Sequence, residues 1–216
     1  MLTGSGTKTY GYMFLLLIDT SSVLAKVIVA TTQGKIIVEL SNKEKNKHVE
    51  ELCGLVVMAF KMAGLSLKDF SHIFVINYPG GYSSIRVGIS FGNALKICLK
   101  TLILLSVTKF DIIAEASAQS PPYGIIIPSG TDRYALKIYT DTEDTRVISV
   151  NTKEALILNK NLHLIGEAIF LPKQDIAESK SFVSHAVTLS KRMLTSEENT
   201  YLKTSNYTQQ IYNKTK

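Results

Sequence analysis

Between Phe14 and Leu40 three short β-rich runs, residues 14–18, 23–30 and 35–40, follow one another with only turn residues between them. Asp19-Thr20-Ser21-Ser22 and Thr32-Gln33-Gly34 supply those turns, because Asp, Ser and Gly accept bends that β-branched residues resist. Connections this short leave no room for a crossover helix, so the simplest product is a three-stranded antiparallel meander.

The next two apolar stretches are helical. Over residues 47–65, Val49, Leu52, Val56, Ala59, Phe60 and Ala63 recur at spacings of three and four, and Gly64 stops the pattern. Leu55, Val57 and Met58 lie off that stripe, so the apolar face is wider than one contact with a sheet requires. Either a second partner covers the excess or the helix is deeply buried. After a strand at 72–77, Tyr78-Pro79-Gly80-Gly81 breaks the chain, and residues 83–100 carry Ile85, Val87, Ile89, Phe91, Leu95, Ile97, Cys98 and Leu99 around nearly the whole helical circumference. Gly88 and Gly92 admit a close approach, whether of a partner helix or of the sheet beneath.

A buried-type strand at 102–105 and a helix at 106–118 lead to Pro121-Pro122. From Tyr123 a second β-rich beginning follows, with runs at 124–127, 134–140 and 146–150 and one more strand at 162–165. Phe182, Val183, Ala186, Val187, Leu189 and Leu194 predict a final helix. The expected organisation is a tag or disordered extension over 1–12, a first lobe over 13–106, a second over 107–203 and a flexible tail over 204–216.

Composition limits the function classes. With 216 residues, 45% of them apolar, the chain can bury a core. Its 24 basic and 18 acidic residues give a formal charge of +6, but the lysines are scattered and read as a solvated surface rather than a nucleic-acid patch. The tail lysines Lys203, Lys214 and Lys216 are too few to define one. The apolar run at 14–18 ends at Asp19, well short of the ~20 residues of a spanning helix, so the expectation is a cytoplasmic chain with no membrane partner. The two cysteines, Cys53 and Cys98, form no CxxC and are expected as buried thiols.

Specific residues resemble a known family. Leu17-Ile18-Asp19-Thr20-Ser21-Ser22 is similar to the first turn of actin-like proteins, and Tyr78-Pro79-Gly80-Gly81-Tyr82-Ser83-Ser84-Ile85-Arg86-Val87-Gly88-Ile89 resembles the GPGSFTGVRIGI element of TsaB (YeaZ) proteins. Smaller agreements keep the family's order: His48-Val49-Glu50-Glu51-Leu52, Leu65-Ser66-Leu67-Lys68-Asp69, Leu105-Ser106-Val107-Thr108-Lys109-Phe110, Leu164-Ile165-Gly166-Glu167-Ala168 and Thr200-Tyr201-Leu202-Lys203. The resemblance implies an α/β fold of the actin-like ATPase class (ASKHA, ribonuclease H-like), with two small lobes of which the second is truncated. It also departs from the family: Gly81, Ser83 and Ser84 replace Ser, Thr and Gly, and Pro128-Ser129-Gly130 stands where Asp-Ala-Arg is usual.

The resemblance further implies a role. TsaB proteins are non-catalytic partners of TsaD, which transfers a threonylcarbamoyl group to transfer RNA from an adenylate made by a TsaC-type enzyme, while a TsaE-type ATPase resets the complex. On this reading the chain binds and activates a TsaD homologue through its two apolar helices, or pairs with itself, and meets tRNA only indirectly. The interface residues expected are Val49, Leu52, Val56, Phe60, Ile89 and Leu95, some of which must face the sheet instead.

Catalytic chemistry is harder to place. TsaD holds a metal with an HxxxH pair on its first helix, whereas here His48 is followed four residues later by Leu52, and one imidazole does not make a site that takes about three protein ligands. His72, His163 and His185 share no spacing. No catalytic residue, metal or resident cofactor is therefore expected, with ATP or ADP at the subunit junction the one nucleotide option. Asp19, Thr20, Ser21, Gly80, Gly81 and Arg86 are the candidates to touch its phosphates, the glycines because they precede a helix N-terminus. Arg86 opposes that helix's dipole and so calls for a carboxylate, Asp19 or Asp69, or a phosphate. The rival is a small nucleotide-binding or phosphotransfer enzyme with Asp19 as base; no GxxxxGK[ST] supports it.

Overall fold

The computed structural model describes residues 13–117, 119–141, 146–167, 171 and 179–193. Expectations for 1–12, Ala118, Ala168, Leu194, Thr200 to Lys203 and 204–216 lie outside them.

The meander forms β1 (Phe14–Asp19), β2 (Lys26–Thr31) and β3 (Ile36–Ser41). The second strand starts three residues later than its apolar content suggests, because side chains capture the backbone ahead of it. Asp19 Oδ1 accepts from the Ser21 N–H at 2.8 Å, and Asn42 Oδ1 accepts from the Ala25 N–H at 2.8 Å. Such local bonds compete with a sheet ladder. Helix α1 (His48–Ala63) ends at Gly64, whose φ of 66° is the left-handed cap, and Leu65 returns its N–H to the Phe60 carbonyl at 3.0 Å. Strand β4 (Phe70–Tyr78), helix α2 (Tyr82–Cys98) and strand β5 (Ile103–Thr108) follow.

These strands make one sheet in the order β3-β2-β1-β4-β5, antiparallel at β1–β2 and β2–β3 and parallel at β1–β4 and β4–β5. Both faces are covered, which is why β1 reads as an unbroken apolar run. Leu16, Ile18, Val27, Val29, Ile73 and Val75 pack with α1 and α2. Leu15, Leu17, Ile28, Phe74 and Val107 face the opposite side. There they meet Ile112 of α3 (Lys109–Ser117) and Phe182, Val183, Ala186 and Val187 of α5 (Ser179–Met193).

Two expectations are corrected here. Ser106 and Val107 belong to β5, paired with Val75 and Ile76, and α3 starts only where Asp111 donates its N–H to Thr108 Oγ1 at 3.1 Å. A division at 106/107 therefore cuts β5, and α5, expected in the second lobe, seals the first sheet.

The second sheet contains β6 (Tyr123–Gly130), β7 (Arg133–Tyr139), β8 (Val147–Asn151) and β9 (His163–Gly166) in the order β8-β7-β6-β9, with β6 and β9 parallel. Order and sense repeat β3-β2-β1-β4, one strand short. The repeat includes α4 (Thr152–Leu158), which the sequence reading missed; it is capped reciprocally by Asn151 and Glu154. Helix α3 is the wedge between lobes, for Phe110 and Ile113 pack on Tyr123, Ile125 and Ile165 of the second sheet while Ile112 faces the first.

Candidate functional site

Much of the outer surface of α1 is apolar where a solvated helix would be polar, with Glu50 and Lys61 the charged residues exposed beside it. Val49, Cys53 and Val57 stand four residues apart along it, with Met58 and Met62 beside them. Val49 is 73% exposed, Met62 63% and Met58 53%. An open groove of about 460 Å³ separates this row from α2 and is lined by Val49, Leu52, Cys53, Ser83, Arg86, Val87, Ser90 and Phe91. Exposed Tyr82 and Ile97 continue the apolar surface on α2.

Only part of the expected contact set faces outward. Leu52, Val56 and Ile89 are 1%, 3% and 3% exposed and belong to the core under the helices, Phe60 and Leu95 are half-buried beside it, and Val49 alone is fully outward. The stripe with the cleanest helical spacing is the one that meets the sheet. Of the residues off it, Leu55 is buried as well, while Val57 and Met58 are exposed. Gly88 and Gly92 belong to the sheet contact as well: a Cβ there would come within 2.5 Å of Thr20 Oγ1 and 2.8 Å of Val75 Cγ2. Cys53 and Cys98, expected as buried thiols, are free and exposed.

The phosphate candidates divide. Asp19, Thr20, Ser21 and Gly80 come together at the ends of β1 and β4, where a Cβ on Gly80 would sit 2.5 Å from the Ser21 carbonyl oxygen. The Asp19 and Ser21 side chains are turned on one another, since Asp19 Oδ1 accepts both the N–H and, at 2.5 Å, the hydroxyl of Ser21, whereas the buried Thr20 Oγ1 has no hydrogen-bond partner among the described residues. Thr20 and Ser21 are buried. Gly81 caps α2 at the surface, and Arg86 lies apart in the groove, its guanidinium 5.3 Å above the Tyr82 ring. Tyr82, not Asp19 or Asp69, is the partner the structure gives it.

Between the lobes lies a cavity of about 230 Å³ walled by Leu24, Ile76, Ile112, Ile113 and Phe182, with Asp19, Ser22, Lys26, Ser41 and Lys109 at its polar parts. It is smaller than the ~300–1,000 Å³ of ordinary ligand pockets. Lys109, buried here, escaped the sequence reading. The dipole argument applied to Arg86 applies to it equally, because it opens α3.

The histidines serve separate elements. His48 Nε2 is 2.8 Å from the Ser22 carbonyl and so donates to it, and Leu52, at the second position of the metal pair, is core. His72 is buried with Nδ1 2.8 Å from Ser71 Oγ, and burial lowers its pKa. His185 Nδ1 is 3.8 Å from Glu115. Among the described residues no three His, Cys, Asp or Glu side chains are grouped to hold a metal, and no helix is long and apolar enough to cross a membrane.

A repeated three-strand meander, with a helix-linked parallel strand after each copy, defines an α/β protein of the actin-like (ASKHA) class. Two solved structures share this fold: YeaZ from Pseudomonas aeruginosa, at a TM-score of 0.59 and 18% identity over 83% of this chain and 93% of that one, and a protein described as similar to that peptidase YeaZ, at 0.64 and 16% over 88% and 95%. The family model for TsaD, tRNA N6-adenosine threonylcarbamoyltransferase, matches residues 35–202. The chain belongs to this family.

A tRNA N6-adenosine threonylcarbamoyltransferase from Caldicellulosiruptor bescii is 29% identical over 147 residues, 63% of this chain and 42% of that protein. A tRNA threonylcarbamoyladenosine biosynthesis protein TsaB from Buchnera aphidicola subsp. Schizaphis graminum is 27% identical over 101 residues, 47% of each. The chain thus spans less than half the length of these curated relatives.

Proposed function

We propose that this chain is a non-catalytic subunit of the machinery that makes threonylcarbamoyladenosine in tRNA, and that it binds and activates a TsaD homologue through the outward side of α1 and α2. The observation that carries this reading is the exposed row Val49, Cys53, Val57, Met58 and Met62, an apolar surface left over after both faces of the first sheet are filled. Contiguous apolar surface of this kind marks an interaction site, and methionines adapt to an opposing helix. The accessory role is supported by the His48 ring being spent on Ser22 and by Leu52 in place of a second metal ligand. Without TsaD the same face serves an isologous homodimer.

Gel filtration with light scattering tests it. The chain mixed with the TsaD homologue of the same cell elutes as a complex, and labelled ATP titrated into the chain alone gives neither tight binding nor turnover. Separate elution at ~10 μM of each protein, a concentration at which a micromolar complex forms, would reject the docking reading. Turnover of ATP by the isolated chain would favour the phosphotransfer alternative with Asp19 as base.

A further inference from the structure

Lys109 is a cation buried between lobes, its side chain 9% exposed. It donates to Ser22 Oγ at 2.8 Å and lies 3.8 Å from the Glu167 carboxylate. One side chain therefore joins the turn after β1 in the first lobe to the residue leaving β9 in the second. Both ends are held. Glu167 donates its N–H to the Ile126 carbonyl of β6 at 2.9 Å, following Gly166, whose φ of 129° excludes a Cβ. Ser22 accepts at its carbonyl from His48 Nε2 at 2.8 Å, and the neighbouring Val23 carbonyl accepts from the Asn46 N–H at 2.9 Å, just ahead of α1. His48 is the first residue of α1, next to outward-facing Val49.

We propose that His48, Ser22, Lys109 and Glu167 form a tie that couples the position of the second lobe to the first turn of α1, so that occupancy of the α1–α2 face is registered in the interlobe cleft. The first clause is internal to the chain; the second rests on the docking reading. The physical basis is the cost of a buried charge that loses a partner. If the second lobe moves away, Lys109 keeps only Ser22, the turn follows it, and the bond to His48 lengthens.

Hydrogen exchange of the full chain, read by mass spectrometry or NMR, decides the matter. In Glu167→Gln, exchange rises at least about threefold at the Glu51 amide as well as at residue 167. The Glu51 N–H bonds the Lys47 carbonyl at 3.1 Å and reports the first turn of α1. Lys109→Met gives a larger change at both places; should that variant not fold, Glu167→Gln, altered at an exposed side chain, suffices. A faster residue 167 with Glu51 at the wild-type rate would overturn the tie. For the second clause, adding the TsaD homologue slows exchange at Glu167, and binding that leaves Glu167 unchanged would overturn that clause. If the homologue does not bind at all, the docking reading fails and the second clause with it, while the variants still decide the first.

Discussion

A methyl group added at Gly92 would meet Val75 Cγ2 at 2.8 Å and Leu104 Cδ1 at 3.1 Å, both in the packed first core. Gly92→Ala is therefore expected to cost ~1–3 kcal/mol as overpacking, seen as a lower urea midpoint with an unchanged slope. His72 carries a pH prediction. It is buried with its pKa held below the ordinary 6.5, so the unfolded chain binds the proton more readily and stability rises with pH across that interval. His72 favours the fold fully above pH 6.5, and this is lost as pH falls from there toward the lowered value. Unfolding midpoints measured between about pH 5 and 7 should fall with acidification in the wild type and vary less in His72→Gln. An equally steep dependence in the variant would assign the effect to other groups. At this scale the sequence was least legible: Asp19, Gly80 and Arg86 were chosen as one phosphate set, but only the coordinates show Asp19 bonded to Ser21 and Arg86 on Tyr82.

Among the elements, legibility followed periodicity. The strands β1 and β4 stood out because a doubly covered sheet leaves no polar alternation to obscure them. Both long helices were legible as helices, but not which side would remain open, since apolar residues surround them and spacing alone favours whichever face is deepest. Helix α4 was missed because seven residues ending Ala155-Leu156-Ile157-Leu158 show no period, although the Asn151-x-x-Glu154 cap was there to be read. That cap should matter locally: Asn151→Ala is expected to lower stability by ~1 kcal/mol and to speed amide exchange in α4 without changing α1. Equal exchange in both forms would show that packing of Ala155 alone holds the helix.

At the scale of the molecule, one meander-helix-strand unit is used twice, and the chain then returns α5 to the first sheet, so the larger lobe is built from both ends of the described sequence. That return contact and the Lys109 tie were invisible beforehand because they join residues far apart in sequence, 87 positions in the case of Ser22 and Lys109. With both faces of the first sheet filled by described residues, the side of α1 that carries Val49, Met58 and Met62 stays exposed, and its apolar character is the core of the functional reading. Calorimetric titration of the TsaD homologue with the wild-type chain and with Met58→Asp tests that directly. At least about a tenfold loss of affinity, some 1.4 kcal/mol, is expected, with the unfolding midpoint unchanged because Met58 is exposed. Equal affinity of the two chains for the homologue would contradict that reading.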